Sequence, residues 1–352
     1  MTNQANPSHV YVGVARSSPT MLGGVFRRTV GDDRWERLGT GLREPAQVQA
    51  ITVHPTDSNV VYLATHDGPY RSTDRGASWT RLDFPEGFQV WSIGVHPRDP
   101  RILYVGTSPV GVFRSDDGGT TWRRQTVNQP ERVRMKSFTC RVMRFAIDPS
   151  HPQEVYAALE VGGAMRTLDG GEHWEDCSAD LLKLAEQPQL KSRIDSDTDL
   201  EGMLDGHALA VSAAQPGAVV LAVRMGLFRS ADRGASWEDM QVGRFSPLTY
   251  GRDVRVSPHD PRVLFACLSP AARSQDGSLY RSRDLGQTWQ RFDHGLTPRS
   301  TMMAVALHPR DPDQVYCATR HGQVFGTEDG GRTWREHPLP EGVKDVYAIA
   351  CG

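Results

Sequence analysis

An eight-residue phrase, "STDRGASW" at 72–79, returns almost letter for letter as "SADRGASW" at 230–237. Four more versions accompany them: "SDDGGTTW" (115–122), "TLDGGEHW" (167–174), "SRDLGQTW" (282–289) and "TEDGGRTW" (327–334). A worn copy, "VGDDRW", ends at Trp35. Repetition at intervals of about forty to sixty residues fits a propeller blade with its loops, and leaves little room for any other fold.

What precedes each phrase repeats as well. Immediately upstream stand "GPYRS", "GVFRS", "GLFRS" and "SLYRS"; before those stand "VVYLAT", "ILYVGT", "EVYAAL", "VVLAVR", "VLFACL" and "QVYCAT". Earlier still are "AITVHP", "SIGVHP", "RFAIDP", "VRVSP" and "AVALHP". Each unit reads as four short strands rich in Val, Ile, Tyr and Phe, punctuated by Pro, Gly and Asp. The sequence enters in mid-unit with "NPSHVYVGVA", which matches a second strand, and stops at "DVYAIACG", which matches a first strand. The last strand is therefore expected to complete the first blade and remove the free sheet edges. The expected fold is all-β: one seven-bladed propeller of four-stranded blades over 1–352, with units ending at Trp35, Trp79, Trp122, Trp174, Trp237, Trp289 and Trp334.

In the pattern Ser/Thr-x-Asp-x-Gly-x-x-Trp, the Asp side chain can accept backbone N–H groups just ahead and close a turn. The Gly supplies positive φ, and the Trp buries a large area as the outer strand begins. These phrases resemble the Asp-box, or BNR repeat, of sialidases, sortilin-type receptors, xyloglucan-degrading glycosidases and photosystem II assembly factors. The resemblance covers nearly the whole chain. It implies architecture more than activity, because those families do unrelated things. It also implies that the box links the third and fourth strands on the face away from the usual ligand site. Asp74, Asp117, Asp169, Asp232, Asp284 and Asp329 are accordingly read as structural, as are His54, His96 and His308 in the equivalent "HP" turns.

A net charge of −2 gives no electrostatic reason to expect nucleic acid or an anionic membrane as partner. Five cysteines at irregular spacing, without CxxC, fit neither a disulfide framework nor a structural zinc site. No secretory signal pattern or membrane-length apolar run is found, so a cytoplasmic monomer is expected.

Residues common to all blades hold the blades; departures from the pattern on the other face are the functional candidates. Three inter-blade links are long: 123–140, 175–206 and 238–251. Within 175–206, Ser178 as N-cap and Leu181, Leu182 and Leu184 as an apolar side predict a short helix, expected to lie over the channel mouth as a lid. Aligning the first strands puts Gln49, Trp91, Met143, His207, Arg252, Met303 and Tyr347 at their upper ends, on the parity of the core stripe below. The opposite parity is mostly Ala, Ser or Gly, but Arg144, Asp253 and Arg255 break it. Arg141, Asp205 and Tyr250 lie just above. Turns between second and third strands add His66, Asp67, Ser108, Glu160, Arg224, Arg273, Arg320 and His321, and the first blade adds Arg16.

Converging arginines suit bidentate recognition of an anion. The expected ligand-binding set is Arg141, Arg144, Arg224, Arg252, Arg273 and Arg320 with Asp205, Tyr250, Tyr347, Trp91 and His66. His207, with Glu160 or Asp253 as partner, is the expected acid–base group. No cofactor is expected; a divalent metal at His66, His207, His321 and Glu160 is the variant to test, although no local ligand spacing supports it. Two readings stand. One is a hydrolase- or lyase-type enzyme acting on a small anionic or sugar-like substrate. The other is a recognition propeller that docks a protein partner through its arginine face, as the resemblance to photosystem II assembly factors implies. In sialidases a tyrosine paired with an acid is the nucleophile, which Tyr250 or Tyr347 with Glu160 could imitate. Those enzymes have six blades and an early Arg-Ile-Pro motif, which "VFRRTV" at 25–30 is not, so sialidase activity is disfavoured.

Overall fold

The computed structural model describes residues 8–15 and 22–352. Seven four-stranded antiparallel sheets form a closed ring. In blade 1 the inner strand is Val346–Cys351, followed outward by His9–Val14, Gly24–Thr29 and Glu36–Leu38. Val10 lies opposite Cys351 and Val12 opposite Ile349, so the two ends of the chain close the ring as expected. The inner strands of blades 2 to 7 are Val48–Val53, Gln89–Val95, Arg141–Ile147, Gly206–Val211, Tyr250–Val256 and Met302–Leu307.

Seven apolar cores correspond to the seven interfaces between neighbouring blades. Tyr11, Leu38, Ile51, Leu63, Tyr70 and Trp79, for example, join blades 1 and 2. Three box tryptophans also hydrogen-bond the preceding blade through Nε1: Trp35 to the His337 carbonyl (3.1 Å), Trp237 to Cys177 (2.9 Å) and Trp334 to Phe292 (3.1 Å).

The repeated phrase folds into the same turn each time. In the first, Ser72 Oγ donates to Asp74 Oδ1 (2.7 Å) and accepts the Gly76 amide (2.7 Å). Asp74 Oδ1 accepts the Ser78 amide (2.9 Å), and Oδ2 accepts the Ser78 hydroxyl (2.5 Å). The Gly76 φ of 88° is as expected, but the preceding Arg75 is left-handed too, at 61°, and so are Arg233 and Leu285 in the equivalent turns. With every carboxylate oxygen engaged, these acids are turn closers. At Asp117 the amide and hydroxyl of Thr121 hold the carboxyl down to about 2.

Strict alternation fails at the upper end of every inner strand. The pairing register slips between Val48 and Ala50, Val90 and Ser92, Val142 and Arg144, Gly206 and Ala208, Gly251 and Asp253, Met302 and Ala304, and between Val346 and Ala348. The residues inserted by these seven β-bulges are Gln49, Trp91, Met143, His207, Arg252, Met303 and Tyr347. They do not simply continue the core stripe below them, because a bulge re-aims the side chain it inserts.

The helix predicted after Ser178 forms at Ala179–Leu184. Ser178 does not cap it through its side chain; the hydroxyl instead bonds the backbone of Gly162 and Ala164. Leu181 is fully buried in the core between blades 4 and 5, and Asp180 accepts the Trp237 amide (2.8 Å). These contacts seat the helix against the outer flank of blade 5, not across the axis. The 123–140 link packs against the later part of the 175–206 insertion: Lys136 donates its amide to the Asp195 carbonyl (3.1 Å), and Met135 pairs with Ser196.

Candidate functional site

The upper ends of blades 4, 5 and 6 carry a connected set of charges. His207, inserted by its bulge, is buried. Its Nδ1 lies 2.6 Å from the Gly251 carbonyl, its Nε2 3.2 Å from the Tyr250 hydroxyl and 3.4 Å from Asp205 Oδ2. Nδ1 must carry a proton to satisfy that carbonyl. A neutral ring then accepts the Tyr250 proton at Nε2, whereas a charged ring donates to Asp205. The acid beside His207 is therefore Asp205, two residues earlier, and not the expected Glu160 or Asp253.

Asp205 Oδ2 also accepts both Nε (3.0 Å) and Nη2 (2.7 Å) of Arg224. Burial alone would raise the Asp205 carboxyl, but His207 and Arg224 outweigh it and hold the group well below the usual carboxylate range. Arg224 Nη2 lies 3.0 Å from Glu201 as well. Glu201 accepts the amides of Ile194, Asp195 and Ser196 (2.9, 3.1 and 3.0 Å), so one carboxylate ties the insertion to the blade. Burial pushes the Tyr250 phenol above its ordinary value.

Arg141 is clamped. It is ion-paired with Glu160, and its guanidinium lies 3.8 Å from the Trp91 ring centre and 4.2 Å from that of Phe138. Trp91 in turn packs on His66 at 5.5 Å. Burial, then the charge of Arg141, lowers the His66 pKa. Arg320 is ion-paired with Asp345 (3.1 Å) and donates to the Ala272 carbonyl (3.2 Å). The face of Tyr347 is shared by Arg252 (5.3 Å) and Arg320 (5.7 Å).

Arg252 differs from these. It is 9% exposed, and among the described residues its guanidinium has neither an ion-pair nor a hydrogen-bond partner. Asp253 is fully buried and occupied: Oδ1 accepts its neighbour's amide, Val254 N (3.1 Å), and Oδ2 accepts Val305 N of blade 7 (3.1 Å) and Arg255 Nε (3.3 Å). Arg144 is half-buried, with its Nε sealed from solvent and unpartnered. Arg273 and His321 are exposed, and Arg16 lies outside the described residues. Among the described residues no three metal-ligating side chains gather, so His66, His207, His321 and Glu160 do not come together as a metal site. Sequence reasoning missed Glu201, Phe138 and Asp345. Glu201 had one signal, an acid set between Leu200 and the apolar pair Met203 and Leu204.

A family model described as "Sortilin, neurotensin receptor 3" matches residues 277–349. A probable oligoxyloglucan-reducing end-specific xyloglucanase of Neosartorya fischeri is 26% identical over 319 residues, covering 79% of this chain and 38% of its own. A Paenibacillus xyloglucanase is 35% identical over 226 residues, 52% of this chain and 20% of its own. The chain thus spans well under half the length of these relatives. Among solved structures, a GH74 xyloglucanase from Xanthomonas campestris superposes with a TM-score of 0.66 at 19% identity, over 98% of this chain and 52% of that one. YCF48 bound to D1 peptide superposes with a TM-score of 0.55 at 14% identity, over 92% and 87%. At such identities the superpositions speak to fold alone, and the fold is a seven-bladed β-propeller.

Proposed function

We propose that the mouth formed by blades 4 to 6 binds a small carbohydrate-like ligand through a carboxylate, and acts on it by lyase-type proton transfer. One observation carries this reading. Arg141, Arg224 and Arg320 each have an acid, whereas nearly buried Arg252 has none among the described residues. A buried guanidinium without a counter-charge is costly, and a ligand carboxylate over Tyr347 would supply one.

Hydrolysis by two carboxyl groups needs one acid whose pKa is raised. Asp205 is held down by its partners, Glu160 is ion-paired and Asp253 is engaged by amides, so no pair is poised for that role. Elimination beside a carboxylate makes a different demand. A cation neutralises the carboxylate, a base removes the proton on the adjacent carbon, the electron pair forms a double bond, and the glycosidic oxygen leaves with a proton. Arg252 is suited to the first task. The Tyr250–His207 pair is suited to proton transfer, with Asp205 stabilising the imidazolium that forms. The curated relatives' activity on a carbohydrate supports a sugar-like ligand. The D1 peptide held by YCF48, together with exposed Arg273, favours a second reading in which the same anchor takes an acidic peptide.

The test is calorimetric titration with uronate oligosaccharides, neutral oligosaccharides and an acidic peptide, against wild type and Arg252→Met. Ultraviolet absorbance of unsaturated product is followed in parallel. Binding and turnover of uronates alone, both lost in Arg252→Met, are expected. Equal binding of neutral sugars, or an unaffected variant, would overturn the reading. Binding of the peptide alone would select the second.

A further inference from the structure

We infer that the bore of the propeller, below the mouth, holds a small inorganic oxyanion between Arg144 of blade 4 and Arg255 of blade 6. The site is separate from the one anchored by Arg252 and does not depend on it.

Below the bulges, one parity of the inner strands carries mostly small residues that face the next blade's inner strand beside the bore. At the level of Arg144 the other blades place Ala50, Ser92, Ala208, Ala304 and Ala348, with Asp253 the remaining exception. At the level of Arg255 they place Thr52, Gly94, Ala146, Ala210, Ala306 and Ala350. Apart from Asp253, the other blades are satisfied by glycine, alanine, serine or threonine at both levels, so neither arginine is required for blade packing.

Both arginines line one cavity of about 220 Å³, whose wall also includes Thr52, Ser92 and Gly94. That is far more than the ~10–15 Å³ a single water needs. Arg255 borders a second cavity of about 330 Å³ that continues toward the "HP" turns at His54. Neither wall contains an Asp or Glu.

The charges do not balance. Asp253 is the acid nearest the pair, and two backbone amides share its carboxylate with Arg255. The Arg144 guanidinium has no ion pair or hydrogen bond among the described residues, and its Nε is sealed from solvent. Burial, then repulsion from Arg255, with Arg252 adding to it, brings the Arg144 pKa down to about 10 against the opposing pull of Asp253. Two inward guanidiniums with less than one carboxylate between them suit a compact anion of one to two charges with several acceptor oxygens, such as phosphate or sulfate.

The full chain is titrated with inorganic phosphate and with sulfate at constant ionic strength, chloride replacing them in the control. Unfolding temperature and calorimetric heat are both read. Wild type and Arg252→Met are expected to be stabilised in a saturable way, as a ligand specific for the native state requires. Arg144→Met and Arg255→Met should bind about tenfold more weakly or worse. Without phosphate, Arg144→Met should unfold at or above the wild-type temperature, because it removes an unbalanced charge. Arg144→Lys serves as the check should the methionine variant fail to fold; it keeps the charge but loses the fork, and should bind more weakly than wild type. Equal stabilisation by chloride, no saturable heat with wild type, or unchanged affinity in the Arg144 and Arg255 variants would each overturn the inference. Loss of phosphate binding in Arg252→Met alone would place the anion at the mouth instead. Failure of uronates to bind wild type would leave this site untouched.

Discussion

Replacing Asp205 by Asn removes a charge from the centre of the Glu201–Arg224–Asp205–His207 network without changing its shape. Asp205 Oδ2 takes two hydrogen bonds from Arg224 and lies 3.4 Å from His207, and the three side chains are 4%, 14% and 1% exposed. Breaking a buried pair from one side costs about 3–5 kcal/mol, chiefly because the other charge is stranded. Glu201, 3.0 Å from Arg224, still offers a counter-charge. A cost of about 3 kcal/mol, near the lower bound, is therefore expected. Arg224→Met strands two acids and should cost at least as much. The double variant should cost less than the sum, with a coupling of about 2 kcal/mol.

Acid unfolding gives an independent reading. The Asp205 carboxyl is depressed in the folded chain, so its contribution is fully present above the unfolded value of about 4 and is lost as pH falls below it. The wild-type chain should lose stability more steeply than Asp205→Asn below about pH 4. Thermal and denaturant unfolding of the four proteins, repeated across that range, measures both effects. A coupling below about 0.5 kcal/mol, or parallel pH profiles, would refute the assignment of Asp205 as the shared counter-charge.

Two further outcomes follow from the fold. Ser72→Ala and Ser230→Ala each orphan the amide of the box glycine (2.7 Å in both) inside an otherwise identical turn, so each should destabilise by about 1–3 kcal/mol and by the same amount. Denaturant titration showing one variant neutral and the other costly would refute the equivalence of the two turns. Burial pushes the Cys140 and Cys177 thiols up to about 12 and those of Cys267 and Cys317 well above their ordinary value. A thiol reagent at neutral pH should therefore modify the native chain slowly and reach all five cysteines only on unfolding. Rapid stoichiometric labelling of the native protein would contradict this.

Seven copies of one pattern acted as an internal alignment, which is why blade number, closing strand and box turns could be read from residues alone. The bulges could not. Gln49, Trp91, Met143, His207, Arg252, Met303 and Tyr347 share no chemistry, because the bulge is fixed by how each inner strand pairs with the second. Side-chain partners were hidden for a related reason. Arg320 finds its acid twenty-five positions away at Asp345, and Arg141 is stacked by Phe138, contributed by the link, and by Trp91 of another blade. Composition collected the arginines. It could not separate the three with acids from Arg252 and Arg144, because that distinction exists only once blades meet around an axis.

Where the repeat is broken, it is broken twice in the same place. The three long links, 123–140, 175–206 and 238–251, lead into blades 4, 5 and 6, and the inner strands of those blades carry Arg144, His207, Arg252, Asp253 and Arg255. Blades 2, 3 and 7 have only uncharged residues where blades 4 and 6 carry Arg144, Arg252, Asp253 and Arg255, and they close the ring equally well. Stability alone gives no reason to place guanidiniums near the axis, since burying a charge is unfavourable unless it is compensated. The links, moreover, do not pack as independent decoration: Glu201 runs from the insertion to Arg224, and Phe138 from the neighbouring link covers Arg141. Extra length and costly charge therefore serve one half of the ring, and variants that remove charge from blades 4 to 6 should alter ligand binding.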